Sequence, residues 1–211
     1  KFDANRSDRG LLCVNHEYVV GPNALHPNGR TAGATRVASE VEKEIYAHGV
    51  SVVEVKRGAS GTAMAMVRGS SYNRRITSAT EMAFGGPVKG SALVRTKFSA
   101  DGTKTRGTNN NCANGYTPWG TYLTCEENWN GNFGSNAALP ASSTEAGKLY
   151  NRYGVTAGGF GYRWHTTDPR FDVSANPNET NLFGWVVEID PYDKTKAPRK
   201  RTALGRAGQV F

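Results

Sequence analysis

Apolar runs in this chain are short, and a turn-forming cluster closes almost every one of them. Leu11 to Val14 ends in Asn15-His16-Glu17-Tyr18, and after Val19-Val20 the chain breaks at Gly21-Pro22-Asn23. Val50 to Lys56 runs into Arg57-Gly58-Ala59-Ser60-Gly61 and returns as Thr62 to Arg68, the pattern of a hairpin. Met82-Ala83-Phe84 stops at Gly85-Gly86-Pro87, and Trp185 to Asp190 turns out through Pro191. Ala92 to Phe98 is a strand or a short connector, closed by Asp101-Gly102. Gly and Asn permit left-handed backbone angles, and Pro fixes the bend that follows. Only 34–48 carries helical spacing, with Val37, Val41 and Ile45 one turn apart and Gly49 as a stop. Short strands, close turns and one helix predict an all-β fold, a propeller or a sandwich. At roughly 40–50 residues per propeller blade, the chain spans about four or five blades less their loops.

The length, 211 residues, allows one domain with a sizeable core, or part of a larger one. No run of about 18 apolar residues occurs, so no membrane-spanning helix is predicted. The net charge of +8 attracts anions such as phosphate esters. Its basic residues are spread, with local clusters at Arg74-Arg75 and Arg199-Lys200-Arg201, and no recognition helix or RNA-binding motif accompanies them. A specific nucleic-acid partner is therefore not expected. Three cysteines, an odd number with no Cys-x-x-Cys pair, argue against a dense disulfide framework and against a zinc pattern.

The chemistry concentrates between Thr108 and Trp129. Cys112, Cys125, Glu126, Glu127 and several asparagines are split there by a turn cluster, Asn114-Gly115 followed by Pro118. Such a bend can return Cys112 toward the end of the next strand, 122–127. A thiolate beside carboxylates is a plausible donor set, hard oxygens suiting calcium or ferric iron and sulfur favouring a transition metal. The same residues also read as buried small cysteines, as a Cys112–Cys125 disulfide, or as a solvated strand end. Asn15-His16-Glu17 at the end of a buried strand is a second candidate, equally a turn with an exposed Glu. Glu188 and Asp190 fall on one strand face, which favours a cation between them or marks the wet face. The segment 130–148 has no periodicity and reads as a long rim or lid loop. The glycines of 158–162 are weak evidence for phosphate binding.

Longer stretches are similar to a known family. They are Leu-Leu-Cys-Val-Asn-His-Glu-Tyr (11–18), His-Gly-Val-Ser-Val-Val-Glu-Val (48–55), Asn-Arg-Arg-Ile-Thr (73–77), the run 110–129, Gly-Trp-Val-Val-Glu-Ile-Asp-Pro (184–191) and Lys-Arg-Thr-Ala-Leu-Gly-Arg (200–206). They resemble the PhoX-type alkaline phosphatases, six-bladed β-propellers, over nearly the whole chain. The resemblance implies hydrolysis of small-molecule phosphate monoesters, a ferric iron pair (Fe3+) with calcium ions (Ca2+), and export to the periplasm or beyond. It implies Cys112 and Glu127 as iron ligands, with Glu126 and Glu188 as further metal ligands, Asn111 facing the phosphate, and Glu17 on calcium. In the family Leu-Gly-Arg runs into a His-Glu segment, whereas Ala207-Gly208-Gln209-Val210-Phe211 follows here. The expectation is thus a single partial propeller domain over 1–211, incomplete at both ends. A complete chain would be a monomer. A truncated one could be a non-catalytic β-scaffold that self-associates through an open sheet edge.

Overall fold

The computed structural model describes residues 7–18, 24–58, 61 and 63–206. The expected breaker at 21–23, the start of the returning strand at Thr62 and the tail 207–211 lie outside the described residues. Among the described residues, ten strands form two sheets, and helices are few. β1 (Arg9–His16), β2 (Gly49–Arg57), β3 (Met64–Met66) and β4 (Arg74–Ile76) make the first sheet. β2 pairs antiparallel with β1 along its full length and with β3 and β4 on its other side. β5 (Glu81–Gly85), β6 (Lys104–Arg106), β7 (Asn111–Tyr116), β8 (Tyr122–Glu126), β9 (Val186–Ile189) and β10 (Arg199–Arg201) make the second, in the order β6-β5-β10-β9-β8-β7. The all-β expectation holds in this mostly-strand content.

The two sheets meet face to face. Leu11 and Cys13 from β1, Val50 and Val52 from β2, and Ile76 from β4 pack on Met82, Tyr122, Val187 and Ile189 of the larger sheet. Alternation along each strand makes this possible, because side chains two apart share a face. The same alternation sends Leu12, Val14, Met64 and Met66 outward, where all four are exposed. Register places them on one outer face with Val53 and Val55.

The 34–48 helix exists as α1 (Ala38–Ala47), with Val41 and Ile45 buried. Gly49 ends it at φ +106, where a Cβ would meet the Ile76 carbonyl oxygen at 2.0 Å. That close approach lets β2 start directly beside β4. Glu44 of α1 is sealed from solvent and accepts hydrogen bonds from Arg36, Arg30 and the Trp164 indole, with His26 against it. It ties the helix to an aromatic core that includes Trp129, Phe133, Trp164, Phe171, Phe183 and Trp185.

One expectation changes. The rim segment 130–148 is partly ordered, with a short 3-10 turn at its start (Trp129–Asn132) and a second helix, α2 (Glu145–Tyr153), beginning within it. Thr144 caps that helix by accepting from the Gly147 amide, and Gly154 ends it in the left-handed region. Of the two readings of 92–98, the connector holds, with a 3-10 turn at Ala92–Val94.

The larger sheet carries an ion pair in its buried face. Lys200 on β10 and Glu126 on β8 are both fully buried, with Nζ to Oε1 at 2.8 Å. Lys200 also donates to the Leu182 carbonyl, and Glu126 Oε2 accepts from the Trp185 amide at 3.0 Å. Removing one member leaves an uncompensated buried charge. Glu126→Gln is expected to lower stability by about 3–5 kcal/mol in denaturant titration. The double change with Lys200→Met should cost less than that single one.

Candidate metal centre

β7 and β8 form an antiparallel hairpin whose open end carries the site. Asn111 pairs with Glu126, and the next pair is Asn114 with Thr124, so Cys112 and Ala113 form a bulge. A bulge breaks strict alternation and re-aims the side chains within it. The turn falls at 117–121, around Pro118, while Asn114 and Gly115 stay inside β7. Two asparagines bracket the end in left-handed conformations, Asn110 at φ 50 and Asn128 at φ 47. Asn tolerates that region better than most residues. The Asn110 carbonyl then accepts from the Glu127 amide at 2.9 Å and closes the ladder.

This geometry gathers three side chains from separate segments. One carboxylate oxygen each from Glu17 and Glu127, and the Cys112 sulfur, all lie within 4.8 Å of one another. Glu17 follows the end of β1, and Glu127 follows the end of β8. The Glu127 carboxylate accepts from the thiol, partial burial adds to this, and the charge of Glu17 adds again, so the Cys112 thiol is pushed up to about 11. Among the described residues, neither carboxylate has a cationic side chain within 4.0 Å. That is notable in a chain of net charge +8.

The other expected ligands lie elsewhere. Glu126 points into the buried face and is held by Lys200 and the Trp185 amide, so its oxygens are already taken. Glu188 sits on the opposite face of its sheet, because it alternates with Val187 of the core. Burial opposes its charge, but hydrogen bonds from Arg201, Trp119 and Thr121 prevail and hold its carboxyl down to about 2. Asp190 is likewise paired, with Lys196 at 2.9 Å. The cations beside those two carboxylates are therefore the chain's own. Asn111 is sealed from solvent, its Nδ2 donating to Thr108 Oγ1 at 2.7 Å while its Oδ1 has no partner among the described residues. All three cysteines are free thiols, and no Cys112–Cys125 disulfide forms. Cys13 is packed between the sheets as a small apolar residue.

The family model described as "Alkaline phosphatase PhoX" matches residues 1–208. A solved structure described as Pseudomonas fluorescens PhoX in complex with vanadate, a transition state analogue, is similar to the chain with a TM-score of 0.86 and 46% identity. The match covers 97% of this chain and 33% of that one, so the chain spans about a third of that protein's length. No protein of curated function matches.

The carboxylates hold the Cys112 thiol protonated, and the thiolate is the form that reacts with iodoacetamide. Glu127→Gln removes the largest contribution and should lower the thiol's pKa. Alkylation of Cys112 near pH 8 is expected to quicken on the order of 10-fold, since each unit multiplies the thiolate fraction about tenfold. Peptide mass spectrometry separates Cys112 from Cys13 and Cys125.

Proposed function

From the premise that the chain belongs to the PhoX alkaline phosphatase family, we propose that it supplies part of a metal-dependent phosphomonoesterase, with Glu17, Cys112 and Glu127 as cation ligands. One observation carries this reading: two carboxylates converge on a thiol with no cationic partner among the described residues. Such a group has excess negative charge that a bound cation would neutralise. Its donor set, two hard oxygens and one sulfur, suits ferric iron, with calcium on the oxygen side. Bound there, a polyvalent cation would draw charge from a phosphoryl oxygen of the substrate.

The chain's own residues do the rest. Glu17 and Glu127 would hold the cation from two strand ends, and Cys112 would give up its thiol proton on binding. The Asn110 carbonyl fixes Glu127 through the backbone. The ligand set omits Glu126 and Glu188, whose carboxylates are already paired. The chain's share of its solved relative supports a partial ring, with further blades completing the site and the substrate pocket. Family membership also supports an exported, periplasmic or extracellular protein. No helix among the described residues is long and apolar enough to cross a membrane.

Metal analysis together with p-nitrophenyl phosphate hydrolysis at alkaline pH, on the full-length protein carrying these residues, tests the reading. Iron and calcium should accompany the purified protein. Cys112→Ser should strip the iron and slow hydrolysis by on the order of 100-fold, the scale lost with one electrostatic stabiliser. A variant that keeps both its iron and its rate removes Cys112 from the ligand set.

A second reading, a self-associating β-scaffold without catalysis, is favoured by the exposed apolar face of Leu12, Val14, Met64 and Met66. It expects a concentration-dependent oligomer in light scattering that Leu12→Lys with Met66→Lys disperses, and no hydrolysis from either form. A monomer that hydrolyses the ester rejects it.

A further inference from the structure

Asn15 occupies an inward-facing position at the end of β1, in phase with Leu11 and Cys13 of the inter-sheet core. The half-buried amide there hydrogen-bonds to both β7 and β8. Its Nδ2 donates to the carbonyl oxygens of Cys112 at 3.1 Å and Ala113 at 3.3 Å. Those are the two bulge residues, displaced from the regular ladder between β7 and β8. Its Oδ1 accepts from the Tyr122 hydroxyl at 2.8 Å and from Thr124 Oγ1 at 3.0 Å, both on β8. One side chain thus joins β1, the bulge of β7, and β8.

The same short segment carries Glu17. Immediately after it, the Tyr18 hydroxyl accepts from Asn128 Nδ2 at 2.9 Å, and Asn128 adjoins Glu127. The segment 15–18 is therefore tied at one end to the residue that bears the thiol and at the other to the neighbour of the second carboxylate.

We infer that Asn15 is a positioning residue for the Glu17, Cys112 and Glu127 group, fixing the bulge that presents the thiol against the strand that brings Glu17. The inference rests on the metal reading given above. Asn15 touches none of the three ligand side chains. It acts through the backbone carbonyls of Cys112 and Ala113, and only a side chain with two N–H donors and an acceptor at this reach fills its role.

Asp at this position keeps the shape and the acceptor but loses both donors. It also adds negative charge, which alone would tighten cation binding. Weaker binding by Asn15→Asp, against that added charge, therefore reports the broken contacts to the Cys112 and Ala113 carbonyls, and Asn15→Ala removes them without adding repulsion. The probe is Co2+ alone, titrated into the metal-free protein, because a sulfur-to-cobalt charge-transfer band reports thiolate ligation without any assay of activity. The band should appear in the parent and vanish in Cys112→Ser. Asn15→Asp and Asn15→Ala should each weaken Co2+ binding about 10–100-fold, the usual effect of losing a group that orients a ligand. Tyr122→Phe, which leaves the donor arm intact, should weaken it much less. Circular dichroism and thermal unfolding follow the fold of each variant.

A folded Asn15→Asp that binds Co2+ as the parent does, with the band unchanged, overturns the role of Asn15 and leaves the metal reading standing. Failure of both Asn15 variants to fold makes Asn15 a structural residue and also overturns the inference. A parent that shows no sulfur-to-cobalt band defeats the metal reading itself, and the role of Asn15 toward it falls with it.

Discussion

The contact between Lys200 and Glu126 sets the geometry of everything around it. Two opposite charges with no solvent exposure cannot drift apart without each becoming an uncompensated buried charge. The pair spans β9 and so holds β10, β9 and β8 in a fixed order, with the Leu182 carbonyl and the Trp185 amide completing its hydrogen bonds. Because Glu126 is committed inward, Glu127 emerges from the end of β8 as the carboxylate free to reach Cys112. A structural charge and a functional one thus stand side by side in sequence and face different environments.

Around that anchor, departures from regular structure gather in a small volume. Asn110 and Asn128 adopt left-handed backbone angles, and Cys112 lies in a bulge. Regular strands would place alternate side chains on opposite faces and could not bring Cys112, Glu127 and Glu17 to a common point from three segments. Irregular backbone costs free energy and persists where surrounding contacts hold it in place. Here the hydrogen bonds of Asn15 and the Asn110 carbonyl are those contacts.

Much of this was legible in the sequence, for identifiable reasons. β1, β2 and β9 alternate cleanly or run apolar between turn residues, and α1 carries an apolar stripe, so periodicity marks them. α2 carries Ala146, Leu149, Tyr150 and Tyr153 at helical spacing between the caps Thr144 and Gly154, but its nine residues sit in a Gly, Asn and Ser-rich segment that reads as loop. The convergence of Cys112 with Glu127 follows from a hairpin that the turn cluster announces. Which of two adjacent glutamates faces the thiol does not, because that depends on Lys200, seventy-four residues away along the chain. Glu188 illustrates the same limit. Its strand face can be read from alternation, but its pairing with Arg201 requires knowing that β10 lies beside β9.

The bulge has a consequence for how such a hairpin can change over generations. It uncouples the phase of the strand on one side from the phase on the other. The outer arm carries Tyr116 and Trp119, both widely exposed, beyond the Asn114–Thr124 pair. A change of register at the tip would be taken up at the bulge before it reached the thiol, provided Tyr122 keeps its bond to Asn15. Tyr116, at the outer end of β7, is the position least bound to the rest.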